Sequence, residues 1–192
     1  MKRIAIFASG SGSNAQNIAE YFEEKELAEV SLILANTPKA YVLERAKELE
    51  IPAYFFDRKN FYHSDEILEI IKEHKIDYIV LAGFLWLFPH NIIQAFPNKV
   101  INIHPALLPN YGGRGMYGMK VHNAIVANKE TESGITIHYV NEAYDEGQII
   151  FQAKCELLPT DTADDLANKI HDLEFKHFPE VIENLLTAEG TF

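Results

Sequence analysis

Short apolar runs alternate with longer amphipathic stretches through the first half of the chain, and this alternation limits the possible folds more than any other feature. The apolar runs predict strands at Ile4–Ala8, Val30–Ala35, Ala53–Phe56, Tyr78–Ala82 and Val100–Ile103. The amphipathic stretches predict helices at Asn14–Glu24, Ala40–Leu49, Ser64–His74 and Pro89–Phe96. Continuous apolar runs are typical of strands that are covered on both faces. The pattern therefore predicts right-handed βαβ units around a parallel sheet.

The pattern changes after the fifth predicted strand. His104–Gly118 is rich in glycine and proline and is expected to be a loop, followed by a helix at Met119–Asn128. Gly134–Val140 and Gln148–Leu157 alternate like strands, and the short link between them, Asn141–Gly147, predicts antiparallel pairing. We expect a single Rossmann-like α/β domain over residues 1–192, with a mostly parallel twisted sheet, an antiparallel C-terminal strand pair and helices on both faces.

The C-terminal segment predicts one long helix. Thr162-Ala163-Asp164-Asp165 has the form of a capping box, in which side chains satisfy the free N–H groups at a helix start. Pro179 lies inside the helical pattern, and a proline there removes a backbone donor and clashes with the preceding turn. We expect Pro179 to kink or divide the helix before Val181–Leu186.

Composition excludes several classes of function. The net charge is −11 and no Lys/Arg cluster occurs, so no nucleic-acid partner is expected. Cys155 is the only cysteine, which rules out an intramolecular disulfide or a cysteine-rich metal site. Eight histidines are present without HExxH spacing, and no metal site is expected. No apolar stretch is long enough to span a membrane and no secretory leader is recognisable, so a cytoplasmic protein is expected.

Asn102-Ile103-His104-Pro105 ends the fifth predicted strand, at the edge where open α/β sheets bind ligands. Residues two apart on a strand project to the same side, so Asn102 and His104 can act on one ligand atom. An amide donor beside an imidazole could hold a carbonyl oxygen and stabilise it as an oxyanion. The alternative is that both are satisfied polar groups closing the strand into a proline turn.

A second motif, Ser9-Gly10-Ser11-Gly12-Ser13-Asn14, joins the first strand to the first helix. Gly10, Gly12 and Ala15 fit the G-x-G-x-x-A form of a dinucleotide fingerprint. However, the second strand ends in Asn36-Thr37-Pro38 without an acidic residue, and the lysine of a P-loop is absent. The motif therefore predicts a site for one phosphate group, with a plain tight turn as the alternative.

Two further segments could complete a site at the same edge. Leu81–Phe88 is unusually apolar for a loop and could receive an aromatic ring system, or could simply be core. Asp145 lies in the link Asn141–Gly147 and could approach His104, raise its basicity or orient a water molecule. Sequence does not separate Asp145 from Glu142 or Glu146, and a solvated turn carboxylate is the alternative.

Taken together, these motifs resemble the glycinamide ribonucleotide formyltransferases, a folate-dependent family of purine synthesis. The resemblance covers nearly the whole chain, and its parts occur in the family's order. They are Gly10–Asn14, Leu81-Ala82-Gly83-Phe84, Asn102–Pro109, Ser133–Val140 and Tyr144-Asp145-Glu146-Gly147. The resemblance implies transfer of a formyl group from 10-formyltetrahydrofolate, the co-substrate, to the amine of 5′-phosphoribosylglycinamide. It implies no metal or redox cofactor.

The resemblance also implies roles for individual residues. Asn102 and His104 would bind the formyl carbonyl and then the tetrahedral oxyanion, Asp145 would assist His104, and His138 would support them. The phosphate and ribose of the substrate would contact Gly10, Ser11, Gly12, Ser13, Asn14 and Glu174. The folate would contact Leu85, Trp86, Leu87, Phe88, Val140, Asn141, Glu142, Ala143, Tyr144 and Lys59, with Arg58 as the alternative to Lys59. Residues 1–100 would form the phosphate-binding half and residues 101–192 the catalytic and folate-binding half.

The chain departs from the family at two places. Trp86 stands where many members carry arginine, and Asn110–Gly118 differs from the commoner loop that contains Pro-Gly.

Other amine acceptors stay open, above all an amino sugar nucleotide. Methionyl-tRNA is disfavoured because the tRNA enzymes carry an extra C-terminal domain and this chain is acidic, and formyltetrahydrofolate hydrolases carry an added N-terminal domain. A non-catalytic nucleotide-binding module is the alternative from another class. Partners are expected to be small molecules, with no membrane, and the protein to be a monomer or a homodimer.

Overall fold

The computed structural model describes residues 1–189 and contains a seven-stranded sheet in the order β3-β2-β1-β4-β5-β6-β7. The strands are β1 Lys2–Ala8, β2 Ala28–Ala35, β3 Ala53–Phe55, β4 Tyr78–Leu81, β5 Val100–His104, β6 Glu132–Tyr139 and β7 Ile149–Glu156. The helices are α1 Ser13–Glu23, α2 Val42–Glu48, α3 Arg58–His63, α4 Glu66–Glu73, α5 His90–Ala95, α6 Met119–Ala127 and α7 Ala163–Glu189.

Strand pairing confirms the predicted α/β class. β1 to β5 pair in parallel, whereas β5 with β6 and β6 with β7 pair antiparallel. β1 lies between β2 and β4, so the connections on its two sides run in opposite directions. A crevice opens at such a point beyond the carboxyl ends of the strands. The last three residues, predicted as part of the same domain, lie outside the described residues.

Both faces of the sheet are covered, as the continuous apolar runs predict. Along β1, Ile4, Ile6 and Ala8 pack into one core cluster, which α1, α2, α6 and α7 cover. Ala5 and Phe7 point to the other side, where α3, α4 and α5 complete a second cluster. This division follows from the alternation of side chains along a strand.

One short helix, α3 at Arg58–His63, is missing from the sequence prediction. Asp57 caps its start, with the Asp57 carboxylate accepting a 2.9 Å hydrogen bond from the backbone N–H of Asn60. The predicted helix Ser64–His74 is confirmed in shorter form as α4. Because α3 has fewer than two turns, its apolar periodicity is too short to recognise in sequence.

Pro179 was expected to kink or divide the C-terminal helix; division is wrong, since α7 runs through Pro179 from Ala163 to Glu189, and the kink stays a prediction. The predicted capping box is present, with Thr162 Oγ1 accepting from the Asp165 N–H at 3.2 Å and Asp165 accepting from the Thr162 N–H at 2.8 Å. Pro179 leaves the Phe175 carbonyl without its usual partner, and the Asn17 side chain donates to that carbonyl at 2.9 Å. None of the helices within residues 1–189 is long and apolar enough to cross a membrane.

Candidate active site

A cleft of about 1080 Å³ opens at the carboxyl edge of the sheet. Its floor is formed where β1, β4 and β5 end, at Ser9, Ala82 and His104. One wall is the loop before α6, and another is the inner face of α7 around Glu174. The cleft thus lies where the order of the strands predicts a ligand site.

β5 brings the two candidate catalytic side chains to this floor. Ile101 and Ile103 pack into the core, so the residues between and after them, Asn102 and His104, lie on the opposite face of the strand. His104 is only 4% exposed. Its Nε2 atom lies 2.8 Å from the backbone carbonyl oxygen of Tyr111. Since a carbonyl oxygen can only accept, Nε2 carries a proton and Nδ1 is the nitrogen that faces Asp145.

Asp145 reaches His104 from the link between β6 and β7. Its Oδ2 lies 3.5 Å from His104 Nδ1, and it accepts a 2.9 Å hydrogen bond from the Gly113 N–H. The backbone of Asp145 is left-handed, with φ at 58°. Gly147 makes the tight link possible, because a Cβ there would lie 1.6 Å from the Tyr139 carbonyl oxygen. The structure therefore brings Asp145, and not Glu142, beside the β5 pair.

His138 joins the same cluster from β6, where it pairs with Asn102 across the sheet. Its Nδ1 donates to the Tyr139 carbonyl at 2.8 Å, which leaves Nε2 as the acceptor in the neutral ring. Asn102 Nδ2 lies 3.1 Å from that Nε2 and 3.5 Å from Asp145 Oδ1. The amide of Asn102 is thereby oriented with its donor side towards His138 and Asp145.

The surroundings lower the pKa of both His104 and Asp145, which favours a neutral imidazole beside an ionised carboxylate. Burial lowers the pKa of His104, and the negative charge of Asp145 and the Tyr111 carbonyl oppose this effect without cancelling it. Burial alone would raise the pKa of Asp145. The His138 ring, 3.7 Å from Asp145 Oδ1, the charge of a protonated His104 and the Gly113 N–H outweigh burial and hold that pKa below its usual value. The site therefore keeps an ionised carboxylate beside an imidazole that resists a permanent charge.

The glycine-rich segment after β1 forms the other end of the cleft. Gly12 has φ at 74°, and a Cβ on it would lie 2.3 Å from Val42 Cγ2, so both the backbone and the close packing require glycine. α1 begins at Ser13, and its free N–H groups make the segment suitable for an anion. Arg45 Nε donates to the Ser11 carbonyl at 2.8 Å and adds a positive charge beside it.

Asn14 connects this segment to the last helix. Its Nδ2 donates to Oε2 of Glu174 at 2.9 Å. Glu174 also lies 3.9 Å from His171 Nδ1, and this nearby carboxylate raises the pKa of His171. All five residues predicted in the segment line the cleft together with Glu174. The candidate phosphate and ribose contacts are therefore brought together.

The predicted folate contacts are only partly brought together. Leu85, Leu87 and Tyr144 line the cleft, and Arg58 does so where Lys59 does not. The remaining predicted contacts are absent from its lining, namely Trp86, Phe88, Val140, Asn141, Glu142 and Ala143.

Several of these absent residues have structural partners instead. Phe88 is buried in the second core cluster, and Glu142 forms an exposed ion pair with His90. Trp86 stacks on Tyr62 and carries the Arg58 guanidinium 4.6 Å above its ring. Trp86 thus contacts Arg58, which lines the cleft, without lining the cleft itself.

Sequence reasoning missed several residues that the fold brings to the site. Tyr111 and Gly113 act through backbone atoms, which no residue type reveals. Arg45 and His122 lie on helices that were predicted, but to which no site residue was assigned. His122 lines the cleft, is 6% exposed, and its Nδ1 is buried without a hydrogen-bond partner. Within residues 1–189 no group of three or more His, Cys, Asp or Glu side chains is arranged to hold a metal ion.

Comparison with known proteins adds a family to this geometry. A family model described as formyl transferase matches residues 2–182. A protein named phosphoribosylglycinamide formyltransferase from Bacillus subtilis is 37% identical over 191 residues, which are 97% of this chain and 95% of that protein. A chloroplastic protein of the same name from Arabidopsis thaliana is 37% identical over 94% of this chain. This chain spans only 64% of the length of the Arabidopsis relative.

Solved structures agree with the sequence comparison. The crystal structure of glycinamide ribonucleotide transformylase 1 from Symbiobacterium toebii superposes with a TM-score of 0.89 at 31% identity. The match covers 98% of this chain and 89% of that one. The parallel sheet and its antiparallel end are therefore shared with that protein.

Proposed function

The chain belongs to the formyl transferase family, and on that premise we propose that it transfers a formyl group from 10-formyltetrahydrofolate to the amine of 5′-phosphoribosylglycinamide in purine biosynthesis. The observation that carries the proposal is the placement of Asn102, His104 and Asp145 in one cleft with a glycine-rich anion segment. A reaction between a folate and a phosphorylated amine needs both ends of such a cleft.

Asn102 and His104 are the proposed ligands of the formyl oxygen. Attack by the amine turns a carbonyl oxygen into an oxyanion, and donors placed beforehand around that oxygen lower the barrier. Both groups lie 3.5 Å from Asp145, in contacts long enough to be exchanged for the formyl oxygen. The Asn102 amide would then supply one N–H, and Nδ1 of protonated His104 would supply the other. Both donors sit in a buried cluster, where their electrostatic effect is larger than in water.

Asp145 is the proposed partner of both donors. Its charge favours the protonated form of His104 when the oxyanion develops, although the free imidazole resists protonation. As an ionised carboxylate it can also accept a proton from the attacking amine, directly or through one water molecule. That proton can then pass to N10 of the folate as the C–N10 bond of the tetrahedral intermediate breaks and the oxyanion returns to a carbonyl. The nucleophile belongs to the substrate, so no covalent bond to the protein is required.

The remaining walls suit the two substrates. 10-Formyltetrahydrofolate would supply a formyl carbon that is activated for attack by an amine. Leu85, Leu87 and Tyr144 offer apolar surface to an aromatic ring system, and Arg58 offers a cation to a carboxylate. At the other end, the N-terminus of α1 and Arg45 supply positive potential for a phosphate, while Glu174 can accept from hydroxyl or amine groups.

Several expectations stay predictions. These are a cytoplasmic location, a monomeric or homodimeric state, and the division into a phosphate-binding half and a catalytic, folate-binding half. The pair Asn14–Glu174 joins the two halves across the cleft, so we propose that both contribute to the substrate amine's position.

The deciding experiment follows the absorbance of the deformylated folate with and without 5′-phosphoribosylglycinamide. Release that requires the ribonucleotide is the expected result. Release without any amine would identify a hydrolase, and release only with an amino sugar nucleotide would assign another acceptor. Binding of the donor without release under any condition would favour a non-catalytic module.

A pair of asparagine variants tests the assigned chemistry. Asn102→Ala should lower kcat by about 100- to 1000-fold, which is typical for loss of one oxyanion donor. Asn123→Ala, at an exposed position on α6, should keep normal turnover. Equal turnover of Asn102→Ala and the control would contradict the role of Asn102.

A further inference from the structure

Tyr111 contacts His104 through its backbone on the side away from Asp145. Its carbonyl oxygen accepts the 2.8 Å hydrogen bond from His104 Nε2. Tyr111 has a left-handed backbone with φ at 56°, a conformation that a bulky residue adopts only where the surroundings hold it. Something must therefore fix Tyr111 in this position.

The side chain of Tyr111 provides that fixation. Its hydroxyl donates to Glu130 Oε1 at 2.6 Å and accepts from Asn128 Nδ2 at 2.8 Å. Both partners directly follow α6, which packs with Val121 and Ile125 in the core. Tyr111 is thus tied to the end of a packed helix through its hydroxyl and to His104 through its carbonyl.

We propose that Tyr111, held by Asn128 and Glu130, is a positioning residue that keeps one proton on Nε2 of His104 and so makes Nδ1 the nitrogen that titrates. The proposal rests on the function assigned to His104 above. Without the carbonyl, a neutral imidazole could place its single proton on either nitrogen. If that proton were on Nδ1, it would point towards Asp145, and Nε2 would be an unprotonated acceptor on the side away from Asp145.

The assignment of the titrating nitrogen matters because only Nδ1 faces Asp145. The titratable groups around His104 are Asp145 in the β6–β7 link, His138 on β6, Glu174 on α7 and His122 on α6. The hydrogen bond to the Tyr111 carbonyl favours the charged imidazole, as do Asp145 and Glu174. Moving this carbonyl should therefore lower the pKa of His104 and change the tautomer of its neutral form.

The test compares Tyr111→Phe with the wild-type chain by ¹⁵N NMR of the histidine rings during a pH titration. Nitrogen shifts distinguish the two neutral tautomers directly and do not depend on turnover. We expect wild-type His104 to be protonated on Nε2 in its neutral form. In Tyr111→Phe we expect a mixture of tautomers and a pKa of His104 displaced to lower pH. Tyr54→Phe on the exposed edge strand β3 is the matched control and should leave both unchanged.

Kinetics supply a second readout. If the protonated ring is the active donor, the decline of kcat at high pH should begin at lower pH in Tyr111→Phe. At the optimum, kcat should fall by about tenfold, the effect of losing one orienting hydrogen bond, while KM changes less. Glu130→Gln retains an oxygen acceptor for the hydroxyl and should behave like wild type, whereas Glu130→Leu should resemble Tyr111→Phe.

Identical tautomer and pKa of His104 in Tyr111→Phe and wild type would overturn the proposal. If Tyr111→Phe does not fold, the exposed pair Glu130→Leu and Glu130→Gln decides by the same NMR criterion. Failure of the proposed function would look different, because wild type would show no formyl transfer while the NMR difference between variants persisted.

Discussion

The side-chain amide of Asn17 donates a 2.9 Å hydrogen bond to the carbonyl oxygen of Phe175, the carbonyl that Pro179 leaves without a helical donor. An asparagine on α1 thereby replaces a backbone N–H of α7. The same pair of helices carries Asn14 and Glu174, which meet in the cleft. Continuity of α7 through Pro179 is therefore connected to the geometry of the candidate substrate site.

Asn17→Ala should lower the free energy of unfolding by about 1 kcal/mol, the usual contribution of one hydrogen bond. Pro179→Ala restores an N–H for the Phe175 carbonyl. Asn17→Ala should therefore lower the free energy of unfolding by less in the Pro179→Ala chain than in the wild-type chain. Urea unfolding of the two single variants and the double variant measures the difference. An equal loss in both backgrounds would mean that Asn17 does not compensate for Pro179.

Gly12→Ala should destabilise the chain because its Cβ would lie 2.3 Å from Val42 Cγ2 and its φ of 74° disfavours a side chain. We expect a loss of about 2–3 kcal/mol in the free energy of unfolding, typical of overpacking. Gly10→Ala is the matched control, since a Cβ there meets no atom within 4 Å. Thermal unfolding of both variants checks the contrast, and similar melting temperatures would argue against the close packing of Gly12 on α2.

Stability should decrease as the pH falls below about 6.5, the usual pKa of histidine. Burial lowers the pKa of both His104 and His122, so the unfolded chain binds protons in this range before the folded chain does. The stability that depends on these neutral rings is present above the unfolded pKa and is lost as the pH falls through the folded pKa. Asp145 contributes in the same direction but in a more acidic range, because its pKa is lowered from 3.8.

Urea unfolding between neutral and mildly acidic pH measures this slope. His122→Gln cannot titrate and should flatten it. A slope unaffected by His122→Gln would show that the folded chain protonates this ring as easily as the unfolded chain does.

Asp145→Asn should keep the fold and lose most turnover. The amide oxygen can still accept from the Gly113 N–H, but the negative charge that supports protonated His104 is gone. We expect kcat to fall by about 100-fold or more, as for loss of a general acid–base partner. The pKa of His104, followed by NMR, should fall as well. Near-normal kcat would exclude Asp145 from the chemistry, and Glu146→Gln in the same link serves as the comparison.

The alternation of strands and helices was readable because it is local. Side chains alternate between the two faces of a strand, and β1 shows this period of two. Its residues on one face are Ile4, Ile6 and Ala8, and those on the other are Ala5 and Phe7. The α/β class, the antiparallel end and the capping box at Thr162 follow from such patterns. α3 was missed because the segment is too short for a period to emerge. The continuity of α7 through Pro179 was not foreseen, because the compensating donor, Asn17, is far away in the chain.

The residues of the candidate site likewise fall into those that sequence patterns revealed and those that only the structure revealed. Asn102 and His104 could be paired from sequence because two positions on one strand share a face. The sequence motifs also indicated the anion segment, through Gly10 and Gly12, and the family. Tyr111, Gly113 and Arg45 could not be found, since two of them act through the backbone and the third acts from another helix.

What the sequence alone determined is therefore the fold class, the family and the residue types available for chemistry, because these depend on short-range periodicity and on motifs that are contiguous in the chain. The family resemblance pointed to Asp145, but only the tertiary structure decided that this carboxylate lies 3.5 Å from His104. It alone also decided that Arg58 rather than Lys59 reaches the cleft and that the Tyr111 carbonyl holds Nε2. These choices depend on the path of loops between distant elements, and that path is fixed by packing and hydrogen bonds over the whole chain.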